Sequence, residues 1–333
     1  MAAQGYLLPL DIAPMEAKQA REIPHNDAVA WQYEPKWDGF RCLAFKSDQG
    51  VELRGKSGKA LGRYFPELVE QLHDLKASRF VVDGEIVIEL SGRYAFDALQ
   101  MRLHPAASRI AKLSKETPAK LVLFDMLVDT AGNDLRKAPL SVRRDALEKF
   151  AERARGIEMS PVTFDARVAR AWLTSKDTSR TDGIVAKRRD EEYKPGVRAM
   201  VKVKPLRSAD CVVGGFRYLA ARKEVGSLLL GLYDEAGRLD HVGYSSTIRN
   251  EDRAELTKRL EKLRQAPGFT GKSPGGQSRW STERSAAWIP LKPQLVVEVR
   301  FDQVTANRFR HGTRLLRWRP DKAPQQCTFE QLA

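Results

Sequence analysis

The chain changes character after Pro205. Before that point, β-like runs alternate with helix-patterned ones. FRCLAF (40–45) and VELR (51–54) flank the turn signal SDQG, which predicts a hairpin. FPELVEQLHDL (65–75) and YAFDALQMRL (94–103) carry apolar residues at helical spacing. RFVVDGEIVIEL (79–90) reads as a second β pair, broken at Asp83-Gly84, and AKLVLFDMLVD (119–129) as a buried strand. PLSVRRDALEKFAERA (139–154) is a helix opening on Pro139, and DGIVAKR (182–188) and AMVKVKP (199–205) are short β segments. Residues 1–35 read as irregular. After Pro205, CVVGGFRYL, GSLLLGLYD, LDHVGYSS, PQLVVEVRFDQVT and GTRLLRWRP predict closely spaced strands, interrupted by the basic amphipathic helix DRAELTKRLEKLRQAP (252–267). Several short strands with one inserted helix predict a small closed barrel of the OB type. The boundary falls near Pro205–Ser208, dividing the chain into residues 1–205 and 206–333.

Charge narrows the partners. Among 333 residues the formal net charge is +14, and the stretch after residue 205 holds 22 Lys+Arg against 14 Asp+Glu. A basic balance of this size favours a polyanion. Cys42, Cys211 and Cys327 form no CxxC, and His25, His73, His104, His241 and His311 show no metal-ligand spacing. The stretch SPGGQSRW (273–280) is read as a loop able to touch DNA, and Trp280, Trp288 and Trp318 as core or interface residues of the barrel. No apolar run approaches the roughly 20 residues of a membrane span, and the N-terminus lacks the pattern of a signal peptide. These features predict a reduced, cytoplasmic protein that makes no use of a membrane.

Four short segments concentrate chemistry. Lys36-Trp37-Asp38-Gly39-Phe40-Arg41 places a lysine just before a strand, beside an acid, a glycine and an arginine. Asp83-Gly84-Glu85 puts two carboxylates at a β kink, and Asp182 precedes a strand carrying Lys187. Lys202 and Lys204 share one strand face at period 2. Buried strands seldom accept lysines without an anion, so Lys187, Lys202 and Lys204 are candidates for holding phosphate oxygens. Nucleotidyl transfer needs a nucleophile in line with the α-phosphate, cations and a metal. A lysine is a poor nucleophile at its free pKa near 10.4, and neighbouring cations or a metal lower that value. Glu85 and Asp182 offer hard oxygen ligands for Mg²⁺ or Mn²⁺. Phe124, in LVLFDML, is placed to stack on a purine.

Taken in order, these segments resemble the motifs of the covalent nucleotidyltransferase superfamily of DNA ligases, RNA ligases and mRNA capping enzymes. KxDGxR is matched by Lys36–Arg41, DGE by Asp83–Glu85, the aromatic-acid pair by Phe124-Asp125, and the fourth and fifth motifs by Asp182–Lys187 and Lys202–Lys204. RxDK is matched by Arg319–Lys322. YEPKWDGFR (33–41), RYFPEL (63–68), LVVEVRFD (295–302), RFRH (308–311) and RWRPDKAPQQCT (317–328) are most similar to the small bacterial ATP-dependent DNA ligases of the ligase C type. The resemblance spans about residues 5–330. It implies an α+β chain: an ATP-grasp-like nucleotidyltransferase (adenylation) domain followed by a C-terminal OB-fold β-barrel.

It also implies roles. Lys36 takes AMP from ATP as a phosphoramidate, and Glu34 contacts the adenine on which Phe124 stacks. Arg41 supports the ribose or phosphate, with Arg54, Lys56, Lys187 and Arg198 around the nucleotide. Lys202 and Lys204 touch the α-phosphate, Glu85, Asp182 and Asp38 are linked to the metal, and Arg319 and Lys322 orient the pyrophosphate. The implied partner is nicked double-stranded DNA, joined by a monomer in DNA repair beside a repair polymerase. An RNA ligase or a capping-type enzyme is the alternative, since the first step is shared.

The chain departs from the family at three places. Asp182 stands where Glu is usual, and Lys56 stands where Arg is usual, with Arg54 two residues earlier on the same strand face as a possible substitute. Met200 stands where Trp is frequent.

Overall fold

A computed structural model describes residues 5–25, 30–154, 156–174, 181–205, 207–220, 222–275 and 287–332. The chain divides into two compact units, Met1–Pro205 and Leu206–Ala333.

The first unit is built on two sheets. The larger contains β3 (Phe40–Ser47), β4 (Gly50–Gly55), β5 (Phe80–Leu90), β7 (Ala119–Val128) and β8 (Glu158–Met159) in the order β4-β3-β5-β7-β8, with β6 (Arg93–Tyr94) on β5. The smaller has the order β1-β10-β9-β2, from β1 (Ala17–Ala20), β2 (Trp31–Trp37), β9 (Thr181–Arg188) and β10 (Met200–Val203). The hairpin predicted over 40–54 is β3–β4, in register from Cys42↔Gly55 to Ser47↔Gly50.

Period-2 alternation decides the layers. On β3, Cys42 and Ala44 face one core with α1 (Pro66–His73), α2 (Phe96–Arg102) and α4 (Leu140–Arg153). Leu43 and Phe45 face the other way and join Val81, Leu127, Tyr193 and Met200 in a second core, to which both sheets contribute. A third core, with Ile184, Ala186, Val201 and Val203, packs the smaller sheet against α5 (Ala166–Thr174). The helix α3 (Ala107–Glu116) completes the unit. At the end of α1, the buried Lys46 ammonium donates to the carbonyls of Leu72 (3.0 Å), His73 (2.7 Å) and Leu75 (2.7 Å), occupying acceptors that a helix terminus leaves open.

Two expectations are corrected here. Residues 79–90 are not a broken pair. Phe80–Leu90 form one continuous strand, and Asp83-Gly84 marks a register shift against β7. A bulge absorbs one extra residue while the strand runs on. Residues 1–35 are not wholly irregular either, because they contain β1 and most of β2, so Lys36 lies inside a strand as well as just ahead of β3. The short α3 and α5 were not anticipated, and the basic helix of the second unit is shorter than its sequence pattern.

The second unit is an antiparallel sheet ordered β13-β12-β11-β15-β18, with β14 (Ile289–Pro290) on β11. Its strands are β11 (Arg207–Tyr218), β12 (Val225–Tyr233), β13 (Leu239–Ser245), β15 (Val296–Phe301) and β18 (Arg314–Trp318), with the ribbon β16 (Val304–Thr305) and β17 (Arg308–Phe309) beside them. The two edges meet. Ser245 and Thr313 form a parallel bridge, Thr313 N–H donates to Tyr244 O at 2.9 Å, and Leu315 N–H donates to Thr247 Oγ1 at 2.8 Å. Five strands closed in this order, with α6 (Arg253–Glu261) between the third and fourth, have OB-fold connectivity. Trp288 and Trp318 pack against the barrel core, whereas Trp280 and most of the SPGGQSRW loop lie outside the described residues.

Candidate active site

The inner faces of the first unit's sheets turn from apolar to charged along each strand, and the turnover opens a cleft of about 180 Å³. Leu43 and Phe45 on β3 give way to Arg41, and Val81 on β5 gives way to Asp83 and Glu85. The cleft is lined by Glu34, Lys36, Arg41, Lys56, Glu85, Phe124, Lys187 and Lys202 among the residues singled out from sequence, together with Glu16, Met15, Trp37 and Met200.

Lys36 sits at an irregularity between β2 and β9. Pairing passes from Pro35↔Ile184 to Trp37↔Thr181, so Asp182 and Gly183 oppose Lys36 alone. Gly183 has φ +122, and a Cβ there would lie 2.2 Å from Val203 O. Only glycine fits this bend, which aims the Asp182 carboxylate at Lys36. Lys36 Nζ donates to Asp182 Oδ2 at 2.8 Å, and Lys204 Nζ lies 2.8 Å from the same oxygen. Lys202, two residues before Lys204, lines the cleft. Its pKa is lowered, first by burial and then by Lys36, Lys204, Lys56 and Arg198. The site therefore gathers positive charge around Lys36 with Asp182 as counter-charge.

Glu85 lies on the opposite wall and accepts from Gly39 N–H at 3.2 Å. A Cβ on Gly39 would fall 2.1 Å from Ile86 O, so this contact also requires glycine. Burial pushes Glu85 up to about 7, against the opposing pull of Arg41 and Lys36. Asp83, the other carboxylate of the pair, points elsewhere. Arg41 grips it through Nε (2.5 Å) and Nη2 (2.6 Å), and Tyr193 Oη donates to it at 2.7 Å. Neither Asp83 nor Tyr193 was assigned this place from sequence; only an acid-arginine pairing across β3 and β5 would have signalled it.

The aromatic wall is Phe124. The Arg41 guanidinium lies 4.5 Å and Lys187 Nζ 4.6 Å from its ring centroid. Lys187 also pairs with Glu34 Oε1 at 2.8 Å, both side chains almost closed from solvent, and Gln32 Nε2 donates to the same oxygen at 2.8 Å. At the lip, Glu16 takes Lys56 at 3.1 Å and Arg198 at 3.7 Å, and these partners lower its pKa, Lys56 foremost. No pattern in the sequence marked Glu16.

Some expected residues stand apart. Arg54 does not line the cleft. It pairs with Glu52 at 3.1 Å and reaches Gly58 O, so the structure gives no support to its substituting for Lys56. Asp38, Asp182 and Lys204 are not among the lining residues; Asp182 joins the site through Lys36, Lys204 through Asp182, and Arg198 through Glu16. Arg319 and Lys322 belong to the second unit, where Asp210 holds both. Among the described residues no three His, Cys, Asp or Glu side chains form a metal cage. No helix among them is long and apolar enough to cross a membrane.

A lysine in a cation-rich cleft, an aromatic wall and a following OB barrel define the class of covalent nucleotidyltransferases. Residues 14–204 match the family model of the ATP dependent DNA ligase domain, and residues 221–322 that of the ATP dependent DNA ligase C terminal region. DNA ligase C1 of Mycolicibacterium smegmatis is 42% identical over 96% of this chain and 93% of its own length. A multifunctional non-homologous end joining DNA repair protein of Mycobacterium tuberculosis is 32% identical over 96% of this chain and 40% of its own length. The structure of mycobacterial DNA ligase D complexed with ATP and MES is similar at 28% identity and a TM-score of 0.51, covering 96% of this chain and 98% of that one. The chain belongs to the ATP-dependent DNA ligases, and ATP is its nucleotide.

Proposed function

We propose that Lys36 carries the covalent AMP and that the cleft around it, within an adenylation domain of residues 1–205, is where ATP is consumed. The observation that carries this is the Lys36–Asp182–Lys204 array at a strand irregularity, where Lys36 lines the cleft and Asp182 and Lys204 stand directly behind it. Lys36 Nζ attacks the α-phosphorus. An N–P bond forms, the bond to the bridging oxygen of the β-phosphate breaks, and pyrophosphate leaves. The nucleophile must shed a proton, and Asp182 Oδ2, 2.8 Å away, is the acceptor in reach. Lys202 and Lys204 offset charge on the α-phosphate oxygens. The AMP phosphorus then passes to an oxygen of the 5′-phosphate at a nick as the N–P bond breaks. The 3′-hydroxyl finally attacks that 5′-phosphorus and expels AMP.

The adenine lies against Phe124. Glu34 faces its edge, oriented by Lys187 and Gln32. Arg41 is committed to Asp83, so it stiffens the floor under Phe124 rather than reaching for phosphate. Lys56 lines the cleft, and Arg198 is linked to it through Glu16.

A divalent ion fits this donor set. Mg²⁺ is commonly held by one or two carboxylates together with phosphate oxygens and water, which suits a site with few acids. Glu85 would be the principal ligand of this kind, with Asp182 and Asp38 as secondary ones, and Mg²⁺ or Mn²⁺ would supply charge neutralisation on the phosphates.

The substrate is nicked duplex DNA bound by a monomer through its basic surface, and the setting is DNA break repair beside a repair polymerase. The experiment is incubation with α-labelled ATP and Mg²⁺. Wild-type protein should become labelled and Lys36→Ala should not; a wild-type protein that stays unlabelled rejects the reading.

A further inference from the structure

Asp210, on β11 of the barrel, has no place in the chemistry described so far, yet it gathers two cations. Arg319 Nη1 donates to its Oδ1 at 2.8 Å and its Oδ2 at 3.0 Å, and Lys322 Nζ donates to Oδ2 at 2.7 Å. The two sides of this contact differ in rigidity. Asp210 is fixed in mid-strand: its N–H donates to Gln331 Oε1 at 2.9 Å, its carbonyl accepts from Gln331 Nε2 at 3.1 Å, and it pairs across the sheet with Glu298. Arg319 and Lys322 lie in a turn just past the end of β18, tied by Lys322 N–H donating to Arg319 O at 3.2 Å. Two long cationic side chains three residues apart repel each other and, left unpaired, retain rotamer freedom. One shared carboxylate makes them converge.

The remaining fork of Arg319 is held differently. Its Nε and Nη2 meet Asp321, which is 63% exposed, whereas the Asp210 side chain is 11% exposed. An incoming phosphate can displace the exposed acid while the buried one keeps its grip.

We propose that Asp210 is a positioning residue for the ATP-dependent step: it presents Arg319 and Lys322 as one preformed pair for the departing pyrophosphate. This rests on the reading that Arg319 and Lys322 act on pyrophosphate. Two reactions of the full chain separate the possibilities. One is self-labelling with α-labelled ATP; the other is sealing, without ATP, of a nick that already carries 5′-AMP, which involves no pyrophosphate.

Asp210→Asn should slow self-labelling about 10- to 100-fold, the worth of one to two charged hydrogen bonds, and leave pre-adenylated sealing close to wild type. Asp210→Glu should recover part of the loss. If both reactions fall together, Asp210 is a barrel-stability residue and the inference is overturned; it is equally overturned if neither falls. Arg319→Ala and Lys322→Ala are run alongside. Should they leave self-labelling intact, the reading of the pair itself fails. Should they slow it while Asp210→Asn does not, only the role of Asp210 fails.

Discussion

Asp182 and Asp210 solve the same electrostatic problem in different units. Each carboxylate is nearly closed from water, at 3% and 11% exposure, and each takes two cations at 2.7–2.8 Å. The settings differ. Asp210 stands in a regular ladder opposite Glu298. Asp182 stands at an irregularity beside a glycine that no other residue can replace. The partners differ as well, since one cation of Asp182 is the proposed nucleophile and must lose its proton, whereas both cations of Asp210 keep theirs. A regular strand suits a carboxylate that only holds; a bulge suits one whose angle to its partner matters, because it can re-aim a side chain while the strand continues on either side.

The sharpest way to break this contrast is at Lys36. Lys36→Arg keeps a cation for Asp182 and so preserves the local balance, but a guanidinium does not deprotonate in proteins. Self-labelling should vanish while the melting temperature stays near that of wild type; labelled Lys36→Arg would place the adduct elsewhere. The next largest effect is expected at Asp182. Asp182→Asn removes the proton acceptor and should slow self-labelling on the order of 10²–10⁴-fold, the usual worth of a general base. Its rate should also climb further toward alkaline pH than that of wild type, as bulk hydroxide replaces the lost base. An unchanged pH profile would reduce Asp182 to a holding role like that of Asp210. Asp182→Glu restores the family's usual residue and should retain most of the rate.

Much of this was legible in the sequence because motif chemistry is local. Lys36, Glu85, Phe124, Lys187 and Lys202 were found from short strings, and the structure brings all five to one cleft. The barrel was legible because short strands repeat at close spacing, although its closure, through the Ser245–Thr313 bridge and the hydrogen bonds beside it, is announced by no pattern. What escaped is non-local. Glu16 reaches the cleft from ahead of a four-residue strand, and Asp83 belongs to Arg41, 42 residues away in the chain. The apparent break at Asp83-Gly84 was misread because a bulge and a strand end look alike until the partner strand is known. Asp210 was invisible for the same reason: its meaning comes from cations 109 and 112 residues downstream.

Stability offers a further test, through ion pairs whose cations do no chemistry. Glu34 and Lys187 are 3% and 4% exposed, so Glu34→Ala leaves a buried ammonium without its counter-charge. Breaking such a pair costs about 3–5 kcal/mol, which should appear as a large fall in melting temperature. Glu34→Gln keeps the hydrogen bond and should cost less. Equal losses for the two variants would mean that charge is not what this pair contributes.

The smallest expected effect concerns Glu85, which unlike the two aspartates forms no ion pair among the described residues. Burial raises its folded-state pKa to about 7 from an ordinary 4.5, so the folded protein binds this proton more tightly than the unfolded chain does. The stability it contributes is therefore fully present below about pH 4.5 and is lost as pH rises through about 7. Glu85→Gln imitates the protonated form. In the absence of nucleotide and metal it should match wild type near pH 4.5 and exceed it by up to about 3 kcal/mol near pH 8. Melting curves of both proteins at the two pH values decide the matter. A constant gap would mean that solvent reaches Glu85 freely, and the contrast between a carboxylate held by cations and one left to the buried wall would then disappear.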